Sequence, residues 1–179
     1  MALQKSEAVC FHSARKGPPQ GANLVVGGVT IAVQPKLKYL GLVLDSKWRF
    51  DHNFKALVPR LMGAAGALTR LLPNVGGCSV GTRRLYLGVE HSMALNGAPV
   101  WSPALSARNA ALLLRAQRVL AVRVIRGYRT ISQDVACALA GSLPWDLEAE
   151  ILAAIYRRRA CALRLESGTV ARPVGCWSV

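Results

Sequence analysis

The chain has 179 residues, of which 52% are hydrophobic, so it is long and apolar enough to form a folded core. Twenty-three Lys and Arg residues against nine Asp and Glu give a formal net charge of +14, which points to a polyanionic partner. Five cysteines without a Cys-x-x-Cys pair, and three histidines at no metal-ligand spacing to them, exclude a disulfide framework and a zinc site and favour reduced thiols in an intracellular protein.

The first 45 residues predict strands and turns. Residues 24–26 and 29–31 are apolar and flank Gly27-Gly28, which predicts a β-hairpin with a two-residue turn. Residues 39–44 predict one further strand, in which the lone Gly41 indicates the close passage of another backbone. No apolar run in residues 1–35 is long and free enough of Gly and Pro for a secretory leader or a membrane span, so we expect no membrane partner.

The remainder of the chain predicts helices. Apolar residues fall on one helical face over residues 50–72, and Pro59 predicts either a kink or a later start. Ser79 or Thr82 caps a second helix that ends at residues 97–99, and Ser106 opens a third over about residues 107–128. Two more helices are predicted at about residues 132–140 and from Pro144 onward. The fold class is therefore α+β, mainly α, with a small strand element followed by a helical bundle and further C-terminal helices.

The third predicted helix carries a row of arginines. There is no acidic residue between Glu90 and Asp134, and at 100° per residue the arginines fall within an arc of about 140°. The guanidinium fork matches phosphate oxygens, which favours contact with nucleic acid. The alternative is an ordinary solvated face, although such faces usually interleave Glu with Arg. The row consists of Arg108, Arg115, Arg118, Arg123, Arg126 and Arg129.

Other candidate features favour structural roles. Residues 157–159 are three consecutive arginines at the end of a helix, where basic residues are common. The four tryptophans are scattered, which favours packing over a base-stacking platform. Asp45 and Asp51 flank a helix start, where capping is the expected role, and they are the only candidates for a metal-binding pair in the early half.

Several segments in succession resemble a known family. They are residues 5–7 (Lys-Ser-Glu), 38–45, 71–77, 97–101, 128–132 and 139–141. In order and approximate spacing they resemble the C-terminal part of the reverse transcriptase of non-LTR (LINE-type) retrotransposons, especially the arthropod elements that insert at fixed genomic sites. The chain departs from that family at Asn96, where an aromatic residue is usual, and at Pro59.

The resemblance implies roles for individual residues. Lys5 would protonate the departing pyrophosphate, and Tyr39, Leu40 and Gly41 would belong to the primer grip. Residues 1–46 would be the end of the palm with the primer-grip strands, 47–128 the helical thumb, 129–165 a post-thumb helical segment, and 166–179 an irregular tail. The thumb would clamp the backbone of an RNA/DNA template-primer duplex, and the six arginines listed above suit that task.

The resemblance also implies that other parts of a parent polyprotein are needed. The fingers, most of the palm and the aspartates that bind Mg²⁺ in the parent polymerase would precede Met1. We therefore expect a fragment without a cofactor of its own, inactive as a polymerase when isolated, and nuclear at its point of action. The alternative function is a basic helical interaction protein that docks on an acidic protein or an anionic membrane surface.

Overall fold

The computed structural model describes residues 6–12, 21–71 and 79–166, and it confirms the α+β, mainly α, fold class. The strands of the described part are β1 (Ala8–Val9), β2 (Asn23–Val26), β3 (Val29–Gln34), β4 (Lys36–Tyr39) and β5 (Leu42–Asp45). The helices that follow are α1 (Asp51–Arg70), α2 (Val80–Ala94), α3 (Ala98–Trp101), α4 (Ala107–Ile125), α5 (Gln133–Ala140) and α6 (Trp145–Glu166), with a 3-10 turn at Ser102–Ala104 after α3.

The strands form two small sheets. The predicted first hairpin is confirmed, since β2 and β3 are antiparallel and Val26 pairs with Val29 across the two glycines. The short strand β1 adds to the other edge of β3 in parallel. The second sheet contains β4 and β5.

The prediction of a single strand over residues 39–44 is wrong. β4 and β5 are antiparallel, with Tyr39 paired with Leu42, and Leu40 and Gly41 form the turn between them. Their φ angles are 47° and 86°, and positive φ at both central positions is what a two-residue hairpin turn of right-handed twist requires. Gly41 is therefore a turn residue, and the atom nearest its missing Cβ is Asn96 Nδ2 at 3.2 Å rather than another backbone.

The first helix starts earlier than Pro59 suggests. The Asp45 carboxylate accepts hydrogen bonds from the backbone N–H groups of Arg49 (2.8 Å) and Phe50 (3.1 Å), which fixes the chain as it enters α1. α1 runs from Asp51 through Pro59 to Arg70, so a start after the proline is excluded. Pro59 lies on the exposed side of the helix. The capping role expected for Asp45 and Asp51 is wrong, since Phe50 occupies the N-cap position and α1 has no side-chain cap. Asp45 instead holds the turn that precedes the helix, and Asp51 accepts from Asn109.

Two predicted serine caps are confirmed, whereas two helices end earlier than predicted. Ser79 accepts from the N–H of Thr82 at the start of α2, and Ser106 accepts from the N–H of Asn109 at the start of α4. α2 ends at Ala94, before the Gly-Ala-Pro stop signal, which instead starts α3, with Gly97 at its N-cap. α4 ends at Ile125 because Arg126 adopts a left-handed conformation and the Gly127 N–H bonds back to the Val122 carbonyl at 2.9 Å, as in a Schellman motif.

The core lies among α1, α3, α4 and α6. Its largest fully buried members include Phe54, Leu61, Trp101 and Leu113, and Trp145 at the start of α6 joins the same cluster. The Asn109 side chain donates to the Asp51 carboxylate at 2.9 Å at the start of the two helices. Late α1 and late α4 are also packed together, so these helices run side by side in the same direction. Burial of Trp101 and Trp145 confirms the packing role expected for them.

Candidate nucleic-acid interface

Helix α4 presents a basic outer face. Its buried side includes Leu113, Leu120 and Val124, which the neighbouring helices cover. On the opposite side Arg108, Arg115 and Arg123 are exposed, and we call these three residues the arginine row. Within the described residues the side chains of the row make no hydrogen bond, and the one ion pair found there joins His91 and Glu148 elsewhere. The row is therefore an unneutralised positive surface held on a rigid helix.

Arg118, unlike the arginine row, makes hydrogen bonds within the molecule. It is half-buried, and its Nη2 atom donates to the backbone carbonyls of Arg129 (2.6 Å) and Ile131 (2.8 Å), while its Nε donates to Ile131 at 3.3 Å. These bonds hold the segment after α4 against the helix. Because internal acceptors occupy most of the guanidinium fork, Arg118 is less available to phosphate than the sequence suggested.

The six arginines do not share one helix. Since α4 ends at Ile125, Arg126 lies at the cap and Arg129 in the following turn, so the predicted helical row of six is wrong in its last two members. Both side chains are exposed all the same. They extend the basic surface past the helix end without following its periodicity.

The tip of the β4–β5 hairpin stands out from the molecule. Leu40 is 79% exposed and Tyr39 is 60% exposed. The second strand of the hairpin is tied to α1, since the Val43 N–H donates to Asn53 Oδ1 at 3.1 Å. A 3.5 Å hydrogen bond from Asn96 Nδ2 to the Leu40 carbonyl ties the tip to the region after α2. An anchored hairpin thus presents an aromatic and an aliphatic side chain to solvent.

Acidic residues do not gather into a metal site. No group of three or more His, Cys, Asp or Glu residues in the described ranges could hold a metal ion. Asp51 accepts from Asn109, and Asp45 holds two backbone N–H groups. Lys5 lies outside the described residues, so its proposed role as a proton donor stays a prediction from the resemblance.

The sequence reading missed a buried carboxyl group. Glu90 on α2 is only 1% exposed, and its Oε1 atom has no hydrogen-bond partner in the part of the chain that the structure describes. Burial raises the pKa of Glu90 from 4.5 to about 7. The signal was present, because Tyr86, Glu90 and Ala94 recur at four-residue spacing and share the buried face of α2.

Comparison with known proteins relates the chain to retrotransposon polyproteins. No protein-family model matches the chain, and no solved structure does. The chain is, however, homologous to a region of retrotransposon polyproteins. Among the described residues, no helix is both long and apolar enough to cross a membrane.

The relatives are polyproteins of R1 elements. The chain is 32% identical over 128 residues to the retrovirus-related Pol polyprotein from type-1 retrotransposable element R1 of Bradysia coprophila. It is 33% identical over 122 residues to a 115 kDa protein in element R1DM of Drosophila melanogaster, and 25% identical over 146 residues to the Pol polyprotein from element R1 4 of Nasonia vitripennis. These alignments cover 69%, 67% and 81% of this chain but only 12%, 12% and 37% of the relatives. The findings therefore support a retrotransposon polyprotein region that spans about an eighth of the first two relatives.

Proposed function

We propose that this chain is the C-terminal part of a retrotransposon reverse transcriptase, an RNA-directed DNA polymerase, and that it holds the template-primer duplex by its backbone. The observation that carries the proposal is the arginine row, in which three exposed guanidinium groups lie on one face of α4 and form no ion pair with another described residue. An RNA/DNA hybrid is recognised mainly by its shape and its phosphates, which such a row can contact.

The length of the row suits a duplex. Arg108 and Arg123 are 15 residues apart, which at 1.5 Å per residue is about 22 Å along the helix axis. That distance corresponds to about six base-pair steps at roughly 3.4 Å each. Three arginines spread over this length reach phosphates of different nucleotides, so each contributes separately to binding.

The exposed hairpin tip supports a role in primer positioning. Leu40 has a positive φ, which is unfavourable for a branched-chain hydrocarbon residue, yet its side chain is mostly in solvent. Unfavourable backbone geometry at an exposed position is found preferentially at functional sites. Tyr39, Leu40 and Gly41 are accordingly proposed to contact the primer end in the complete enzyme.

We propose that the metal-dependent step of the polymerase reaction takes place outside the described residues. Asp45 and Asp51 hold backbone and side-chain donors, and no group of three or more acidic, His or Cys residues converges there, so we assign no metal step to the described residues. Mg²⁺ would be bound by aspartates of the fingers and palm portion of the parent polyprotein. The site of action is proposed to be the nucleus, where the parent element meets chromosomal DNA.

A salt titration of hybrid binding tests the duplex proposal. Replacing Arg108, Arg115 and Arg123 together by Gln keeps helix-forming residues on α4 and leaves its buried face untouched. Affinity for an RNA/DNA hybrid should fall at low salt. The slope of log affinity against log salt should shrink by about two to three units, close to one for each lost phosphate contact.

A matched variant separates specific contact from net charge. Replacing Arg157, Arg158 and Arg159 by Gln removes the same number of charges from exposed positions in the second half of α6. Its salt slope should stay within about one unit of wild type, because these groups are not placed on the duplex. Equal slopes in both triple variants, with helical content confirmed by circular dichroism, would contradict the proposed duplex contact.

A further inference from the structure

A groove on the molecule is lined by residues other than those of the arginine row. It has a volume of about 590 Å³ and runs between one face of α2 and the segment that joins α5 to α6. The α2 wall carries residues spaced three or four apart, and the other wall is formed by residues 138–143 with the start of α6. The α2 wall includes Val80, Arg83, Arg84, Leu87 and His91.

Both walls of the groove carry exposed apolar side chains. Val80 from α2 is 65% exposed, and Leu139 and Leu143 from the opposite wall are 61% and 55% exposed. Removing these surfaces from water would be favourable, since burial of aliphatic side chains is the main driving force of association. A partner that fits the groove therefore offers apolar side chains of its own.

The groove is also positively charged. Arg84 is exposed, and Arg83 is half-buried with no hydrogen-bond partner for its Nε atom among the described residues. Glu148 is the one acidic residue of the lining; it bonds His91 at 2.7 Å and forms no ion pair with Arg83 or Arg84, which outnumber it. Two guanidinium groups are thus left for carboxylates from outside.

We propose that this groove binds an acidic, amphipathic helical segment of a partner protein. Apolar side chains of the segment would cover Leu139 and Leu143, and its carboxylates would pair with Arg83 and Arg84. Charge complementarity and the apolar walls together favour this occupant. A duplex backbone offers nothing apolar to the walls, and a single strand needs an exposed aromatic platform, whereas the lining Trp145 is only 2% exposed.

Peptide binding measured by fluorescence anisotropy tests the groove. The probe is a labelled synthetic peptide of about 18 residues, with Leu and Glu at helical spacing, long enough to form a helix on binding. The comparison peptide carries Gln at every Glu. R83Q/R84Q, which removes the groove charges, and L139S/L143S, which removes the apolar wall, should each weaken binding of the acidic peptide about tenfold or more.

Controls separate the groove from bulk charge and from the arginine row. R158Q/R159Q removes two exposed charges on α6, and it should change the affinity for the peptide less than about twofold. The triple Gln variant of the arginine row should also retain peptide binding. It should lose only affinity for the hybrid, so the two proposals fail or succeed independently.

Three outcomes would overturn the groove proposal. The first is the absence of saturable binding of the acidic peptide by the wild-type chain. The second is an equal loss of affinity in R158Q/R159Q, which would mean that only bulk charge is sensed. The third is displacement of the peptide by the hybrid together with a salt slope for hybrid binding that shrinks by about two units in R83Q/R84Q, which would identify the groove as a phosphate site.

Discussion

At the scale of single residues, Leu40 combines exposure with an unfavourable backbone conformation. Its φ is 47° and its side chain is 79% exposed, so little packing offsets the cost of left-handed geometry, about 1 kcal/mol. Asn-Gly is the preferred pair for this kind of turn. Leu40→Asn should therefore raise the free energy of unfolding by about 1 kcal/mol in urea denaturation. An unchanged or lower stability would mean that the leucine makes a stabilising contact at the hairpin tip.

Primer positioning can be tested at the same residue. In a complete polymerase that contains this segment, Leu40→Asn should reduce primer extension while the affinity for the duplex stays nearly unchanged. The reason is that the proposed role of the tip is to place the primer end, a requirement of the reaction geometry rather than of overall binding. Parallel loss of binding and extension would instead indicate a general defect in the fold.

Glu90 makes stability depend on pH. The pKa of its carboxyl group is about 7 in the folded chain against 4.5 as the ordinary value, because burial disfavours the charged form. The stabilising effect of the neutral carboxyl is complete below about pH 4.5. It is lost as pH rises through about 7, and the full difference is roughly 3 kcal/mol.

Replacing this carboxyl by an amide tests the pH dependence. Glu90→Gln should match wild type in free energy of unfolding near pH 4.5 and exceed it at pH 8, because the amide cannot ionise. The difference between variant and wild type, measured by urea denaturation across the pH range, isolates this group from all others. Glu150→Gln, at an exposed position on α6, serves as the control. A constant difference at every pH would mean that Glu90 is not buried as described.

At the scale of elements, Pro59 lies inside a continuous helix. It removes one backbone N–H from the hydrogen-bond ladder of α1 and crowds the preceding turn, at a cost of up to about 3 kcal/mol. Part of this cost is offset by the restricted unfolded chain. Pro59→Ala should raise the free energy of unfolding by about 1 to 2 kcal/mol. A lower stability would show that proline is required for the path of the helix.

Local signals predicted most elements of this fold. Ser79 and Ser106 identified two helix starts because a cap is a hydrogen bond within a few residues. The second hairpin escaped prediction because an apolar run with one glycine is equally typical of a buried strand. Leu40 also lacks the usual composition of such turns. The sequence pattern therefore did not reveal that Leu40 and Gly41 both adopt positive φ and form a turn.

The candidate site could be predicted only in part. Arg108, Arg115 and Arg123 are exposed as the helical periodicity predicted, because the opposite face of α4 forms the core. The internal bonds of Arg118 could not be predicted, since its carbonyl acceptors come within reach only after α4 ends at Ile125. The groove between α2 and α5 depends on packing between distant segments, for which the sequence pattern carries no signal.

At the scale of the whole molecule, positively charged residues far outnumber negatively charged ones. The formal net charge is +14, and the one ion pair that joins described residues involves His91 and Glu148. Repulsion among the cationic groups therefore opposes the compact state at low ionic strength. A polyanion that binds the folded chain would remove this repulsion and stabilise the fold by mass action.

Thermal unfolding at several salt concentrations tests this balance. The Tm of the free chain should rise by several degrees between about 20 and 200 mM NaCl, because the screening length falls below the spacing of many surface charges. The RNA/DNA hybrid should raise Tm most at the lower salt concentration, and its effect should shrink as salt weakens binding. The triple Gln variant of the arginine row should show a smaller rise with NaCl and a smaller shift with hybrid. A Tm that falls with NaCl in the free chain would mean that attractive charge pairs dominate the fold, and it would contradict the unneutralised surface on which duplex binding is proposed to depend.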